Sequence, residues 1–188
     1  MTTKEGVKRQ TDKMPNDCCD VEKAGASFCE LPSARVRPMR EKVACPQCGQ
    51  LGKPVPGQTV RSLVAVSLRM VPQGNYLFCR THECPVVYFH ESGMPVFLNV
   101  HVRERVYQKE PDVADVWICY CFRHSVGELT GGTTEARNEI VADINAGIKA
   151  EECACDLRNP QGSCCLGNVN ALVRRAATTR APLSSPRS

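Results

Sequence analysis

The stretch VWICYCFRHS, Val116–Ser125, sets Cys119 and Cys121 one residue apart among Trp117, Tyr120 and Phe122 and runs directly into a helix start. Ser125 followed by Glu128 has the form of a capping box, in which each residue satisfies a free backbone N–H of the other, so a helix is expected just beyond Phe122–His124. A longer one follows in TTEARNEIVADINAGIKA, where Ala136, Ile140, Val141, Ile144 and Ile148 make one apolar face and Thr134 is a candidate cap. Beyond it, Asn159-Pro160-Gln161-Gly162 is a turn signal, leading to a third amphipathic helix with Leu166, Val169, Leu172 and Val173 inward.

Upstream of that stretch the pattern is different. In VACPQCGQLG, Cys45-x2-Cys48-Gly49 has the form of a zinc knuckle, two thiolates in a tight turn with a glycine that lets the backbone fold over the metal. In YLFCRTHECPVVYF, Cys79-x4-Cys84 is entered and left by short β-branched and aromatic runs that read as strands. Two such pairs in a strand-rich segment fit one tetrahedral four-thiolate zinc site. His82 lies inside the second pair, either as a solvated loop residue or as a replacement for Cys84. Further on, Val96, Leu98, Val100 and Val102 alternate with Asn99, His101 and Arg103, the period of a half-buried strand with His101 facing solvent. YQKEPDVADV is then expected to link two small modules.

The fold expected is therefore α+β: a small zinc-ribbon-like β module over 41–108, then a helical metal-binding module over 109–175. Flanking them, 1–40 and 176–188 are expected to be disordered tails. The first carries Cys18, Cys19 and Cys29, which are either exposed thiols or a capture arm for thiophilic ions.

Thirteen cysteines in 188 residues dominate the chemistry, and the odd count argues against complete disulfide pairing. No apolar leader follows the N-terminus and the strongest apolar run, near Leu63–Leu68, is too short to cross a bilayer, so the expected location is the cytoplasm, where excess thiols usually mean metal. The helical module offers Cys119 and Cys121, then Cys153, Cys155, Cys164 and Cys165, with the Cys-x-Cys pair and two of the later cysteines at loop-to-helix junctions. One-residue spacing strains two ligands on a single small tetrahedral ion and suits a larger cluster surface, with a second zinc as the competing reading. The three aromatics either limit water access to that centre or are ordinary core.

Taken in order, CPQCG, YLFCRTHECPVVYF, CYCF and CDLRNPQGSCCLG resemble the N-terminal domain of the CopZ-type copper chaperones, iron-sulfur and zinc proteins in which the second half resembles bacterioferritin-associated ferredoxin. The likeness spans roughly residues 43–172. It implies Zn²⁺ on Cys45, Cys48, Cys79 and Cys84 and a 2Fe-2S cluster on Cys119, Cys121, Cys155 and Cys165, with Cys153 and Cys164 as non-ligands or substitutes. It also implies one-electron transfer or a metallochaperone-like role in copper or heavy-metal homeostasis. The partners would be copper or another thiophilic ion and a metal-transport or redox protein. The family's full-length members add a ferredoxin-like copper-binding domain with a Cys-x2-Cys loop, whereas only RRAATTRAPLSSPRS follows the last expected helix here.

Other function classes are weakly supported. The formal charge of +4 counts every cysteine as neutral, and eight thiolates around one zinc and one oxidised cluster would bring it to about 0. A zinc-ribbon nucleic-acid binder, which needs surplus Lys and Arg on one face, is thereby disfavoured. No Ser-His-Asp pattern, P-loop or dinucleotide fingerprint appears, so no catalytic residues are expected and the protein is read as non-enzymatic, apart from possible electron donation to Cu(II). A metal- or redox-sensing interaction module remains the alternative. The two centres are expected to be separable, with zinc-site variants sparing the iron.

Overall fold

A computed structural model describes residues 42–179, and both expected tails, with Cys18, Cys19 and Cys29, lie outside the described residues except for 176–179. The class is mixed helix and sheet. Four short strands, β1 (Lys53–Val55), β2 (Tyr76–Phe78), β3 (Val86–His90) and β4 (Val96–Leu98), form one antiparallel sheet in chain order. Helix α1 (Gly57–Leu63) leaves the first strand. After the stretch 99–116 come a two-stranded ribbon, β5 (Trp117–Cys119) with β6 (His124–Ser125), and four helices: α2 (Val126–Gly131), α3 (Thr134–Lys149), α4 (Cys155–Arg158) and α5 (Leu166–Thr179).

Alternation along β2 gives the sheet two buried faces. Tyr76 and Phe78 join Val55, Val60, Val64, Val87, Tyr88 and Phe97 in a core on the α1 side, while Leu77 joins Val86 and Phe89 on the opposite side. The irregular register between Val86 and Tyr88 lets Val87 and Tyr88, consecutive residues, both serve the first core. The second core is completed by Cys45, Cys79 and Cys84, so the thiols of the first centre are themselves the packing material of one sheet face. At Gly52 the knuckle loop passes so close to the sheet that an added Cβ would lie 2.5 Å from Phe89 Cζ.

The alternating pattern from Val96 onward was expected to be one strand, and the structure corrects this. Pairing ends at Val86 with Leu98, because Pro85 has no N–H to continue the ladder and its carbonyl accepts from Asn99 N at 3.0 Å. Asn99–His101 then forms a 3₁₀ turn that leaves Val100 81% exposed, and the chain returns to bridge Val64 at Val102. His101 is half-buried rather than solvent-facing, its Nδ1 accepting from Leu98 N at 3.2 Å.

The helices start where capping chemistry dictates. Ser125 Oγ accepts from Glu128 N at 3.2 Å and Ser125 N donates to Glu128 Oε2, the expected box. The cap of α3 is Thr133, one residue before the expected Thr134, its Oγ1 accepting from Ala136 N at 3.3 Å. Buried Arg137 donates to the carbonyls of Leu129 and Thr130, satisfying the end of α2. Val116, Ile118, Leu129, Ile144, Val169 and Leu172 close an aliphatic core between ribbon and helices. Phe122 packs against that core and Trp117 lies under the Arg123 guanidinium, 5.5 Å from ring centroid to Cζ.

Hydrogen bonds cross the expected boundary at 108/109. Thr59 Oγ1 donates to Asp156 O at 2.5 Å and Tyr88 OH to Pro160 O at 2.8 Å, tying the sheet to the loop between Cys155 and Cys165. The stretch expected as a linker is pinned as well: Tyr120 OH donates to Arg105 O and accepts from Tyr107 N, and Lys109 is buried. The Tyr88 bond is itself buried, so Tyr88→Phe strands the Pro160 carbonyl and is expected to cost about 1–3 kcal/mol of stability, read as a lowered denaturation midpoint.

Candidate metal centres

The two cysteine pairs of the sheet half converge on one point. Cys45 and Cys48 sit in a turn closed by Gly49 N to Cys45 O at 2.9 Å, with Gly49 at φ 72°, where a side chain would be strained. Cys79 ends the run of β2, and Cys84 precedes β3 after a turn in which its N–H reaches Thr81 O. The four Sγ atoms lie within 4.8 Å of one another, with Cys45 to Cys84 at 3.9 Å and Cys48 to Cys79 at 3.6 Å. Four sulfurs at about 2.3 Å from a tetrahedral zinc would stand about 3.8 Å apart, so this donor set fits that ion. His82 is not part of it: its side chain is half-exposed and its Nδ1 faces Glu83 Oε1 at 3.3 Å.

A hydrogen bond from the Thr81 hydroxyl, 3.4 Å away, leads the causes that pull Cys48 down to about 6. Burial pushes Cys84 up to about 12 and raises Cys45. Ionising all four in so small a volume needs positive charge among them. Lys109 supplies some nearby: only 5% exposed and without a carboxylate partner among the described residues, it donates at 2.7 Å to the carbonyl of Thr81, the residue whose hydroxyl touches Cys48. A buried ammonium is costly unless its surroundings are negative, and four thiolates around a divalent ion provide that. Lys109→Met, which keeps the apolar stem, is expected to weaken zinc retention roughly tenfold in chelator competition. Unchanged retention would show that the ammonium plays no part.

A second group of thiols gathers at the mouth of the helical half. Cys119 ends β5 and is buried, Cys121 follows on the ribbon turn, Cys155 opens α4, and Cys165 is buried immediately before α5. Cys121 and Cys155 are 3.7 Å apart. A hydrogen bond from the Cys165 thiol is the main cause pulling Cys119 down to about 6, and the same contact pushes Cys165 up. Hydrogen bonds from Cys121 and then Cys165 draw Cys155 down to about 3 and raise Cys121 in turn. Backbone amides add donors: those of Phe122 and Cys121 to Cys119, of Ala154 to Cys121, and of Cys165 to Cys155.

Cys121 thus adjoins Cys155 and Cys119 interacts with Cys165, but among the described residues Cys119 and Cys165 do not join the compact group that Cys121 and Cys155 form. A donor set more widely spread than the first fits a larger cluster better than a single small ion. Cys153 also arrives here, its Sγ grouped with those of Cys121 and Cys155 within 4.8 Å. Cys164 is exposed and turns its sulfur to Leu166 N at 3.5 Å. The aromatics of the opening stretch serve packing and stapling, as described above, Tyr120 through its two hydrogen bonds and Phe122 through the helical core.

Sequence reasoning missed Thr81 and Lys109. A hydroxyl inside the Cys79-x4-Cys84 loop was a usable signal for the first. Lys109 carried none, since its burial arises from tertiary folding of a segment rich in charge and proline.

The family model described as a zinc binding domain, that of CopZ, matches residues 42–103, the whole of the sheet half, so this part of the chain is a zinc-binding domain. The copper chaperone CopZ of Archaeoglobus fulgidus is 31% identical over 128 residues, which cover 68% of this chain and 60% of that relative. The X-ray structure of the N-terminal domain of A. fulgidus CopZ superimposes with a TM-score of 0.58 at 30% identity, covering 69% of this chain and 97% of that domain. With almost the whole of that domain matched in both sequence and fold, the chain belongs to the family of the CopZ N-terminal domain.

Proposed function

We propose that the chain holds one zinc on Cys45, Cys48, Cys79 and Cys84 and one 2Fe-2S cluster on Cys119, Cys121, Cys155 and Cys165, and serves copper or heavy-metal homeostasis as a one-electron, metallochaperone-like protein. The observation that carries this is the difference between its two thiol sets. One is compact enough for a single tetrahedral ion, its four sulfurs within 4.8 Å of one another, whereas among the described residues Cys119 and Cys165 stand outside the 4.8 Å group of Cys121, Cys153 and Cys155, a wider spread that suits a larger cluster. The likeness to a protein named as a copper chaperone supplies the copper assignment.

The zinc set is structural in this reading, since four cysteines would fill every position of a tetrahedral ion and three of them, Cys45, Cys79 and Cys84, are buried in the sheet core. When bound, the cluster supplies one-electron redox chemistry. Buried Cys119 and Cys165 and half-buried Cys121 and Cys155 would hold it. The amides of Phe122 and Ala154 hold negative charge on sulfur in place, and the aliphatic core behind Cys119 keeps water from that side. Cys153, whose sulfur lies beside those of Cys121 and Cys155, would be a substitute thiol.

The test is anaerobic mixing of dithionite-reduced, desalted protein with Cu(II) in the presence of a Cu(I)-specific chromophore. One more equivalent of Cu(I) per chain is expected from reduced than from oxidised protein, the oxidised sample correcting for reduction by free thiols. Equal yields would remove the electron-donor role and favour the sensing module, in which cluster loss alters partner binding.

A further inference from the structure

Apart from both thiol centres, a cleft of about 250 Å³ opens between the sheet and the start of α5, lined among others by Lys53, Arg80, Gln108, Ser163, Cys164 and Gly167. No carboxylate lines it, and neither Lys53 nor Arg80 forms an ion pair among the described residues. Lys53 donates instead to Ser163 Oγ at 2.7 Å. Burial, and then the neighbouring Arg80 guanidinium, hold the Lys53 ammonium below its usual pKa. Two cations kept together in a concave surface without a counter-charge form a standing positive field, to which the first turn of the long helix α5 adds its dipole end.

Two further groups face the same cleft. Gln108 Oε1 is buried with no partner among the described residues, while its Nε2 donates to Gln161 Oε1 at 2.8 Å, so one strong acceptor lies unpaired beside the cleft. Cys164 is exposed, with the N–H of Leu166 3.5 Å from its sulfur.

We infer that this cleft binds an acidic, amide-bearing low-molecular-weight thiol in its disulfide form, and that Cys164 is where it attaches. Carboxylates of the ligand meet Lys53 and Arg80, an amide N–H meets Gln108 Oε1, and the sulfur meets Cys164. The reaction is thiol–disulfide exchange. The Cys164 thiolate attacks one sulfur of the ligand disulfide, that S–S bond breaks, and a new S–S bond joins Cys164 to one half. The other half leaves as a thiolate and takes up from solvent the proton that Cys164 released, so no further oxidant is required. The adduct forms one residue from Cys165, which places a record of the surrounding thiol pool next to the second centre. The inference stands apart from the metal assignments, because it uses neither zinc nor iron.

The full, metal-loaded chain is incubated with oxidised glutathione, neutral hydroxyethyl disulfide or cationic cystamine at equal concentrations, and peptide mass mapping follows modification of Cys164. Oxidised glutathione is expected to react at Cys164 about tenfold faster than the neutral disulfide, with cystamine slowest and the preference shrinking as salt is added. Arg80→Gln, a change at an exposed side chain, is expected to erase most of that preference by slowing the reaction with oxidised glutathione, and Lys53→Gln to do the same. Equal rates for the three disulfides, an unaltered preference in both variants, or no adduct at Cys164 would each overturn the inference.

Discussion

Cys79→Ser is expected to release the zinc and unfold the sheet half of the molecule. Its strands are three to five residues long, too short to persist unaided, and one face of the sheet is built on Cys45, Cys79 and Cys84 themselves. Structural zinc contributes on the order of 10 kcal/mol of folding free energy in small zinc-finger units, more than a domain of this size can usually spare. The effect should not stop at the sheet. Thr59 and Tyr88 hold the carbonyls of Asp156 and Pro160, and Lys53 holds Ser163, all on the loop that runs from Cys155 to Cys165. The sequence alone suggested that zinc-site variants would spare the second centre; these bonds lead instead to loss of both. Thermal unfolding by circular dichroism together with zinc and iron analysis reads the outcome. A folded Cys79→Ser protein that has lost zinc but kept a native melting curve would refute the structural role of that centre.

The Cys119→Ser, Cys121→Ser double variant is expected to behave differently. A serine oxygen is a harder and poorer ligand than a thiolate, so the visible absorption of the cluster should disappear. Zinc should stay, because the sheet half owes nothing to these two residues. The helical half keeps the aliphatic contacts of Val116, Ile118, Leu129, Ile144, Val169 and Leu172, so loss of colour should come with a folded protein and one zinc per chain. An unshifted cluster spectrum in this variant would remove the basis of the functional reading. Single changes sort the rest: Cys155→Ser and Cys165→Ser should act like the opening pair, whereas Cys153→Ser and Cys164→Ser should leave the spectrum nearly unchanged.

The parts of this architecture that were legible in the sequence are those fixed by local chemistry. Ser125 and Glu128 identify a helix start because both halves of the box lie within one turn, and Cys45-x2-Cys48-Gly49 is readable because a knuckle is closed by its own backbone. The error at Val100 and the shift from Thr134 to Thr133 arose where a partner strand or a single rotamer decided the outcome, which periodicity does not record. Cys153 was unreadable for a similar reason: spacing cannot say which of two thiols flanking Ala154 turns towards Cys121, and in the fold both do. Lys109 and the cleft around Arg80 depend on residues far apart in the chain, brought together by tertiary contacts alone.

The central claim is that two chemically distinct thiol centres share this fold. Metal analysis combined with visible absorption and reduced-state electron paramagnetic resonance, on anaerobically purified protein matured with ample iron, tests it most directly. The account predicts one zinc and two irons per chain, a red-brown colour and the resonance of a one-electron-reduced 2Fe-2S cluster. Two zincs with no iron and no colour would contradict it.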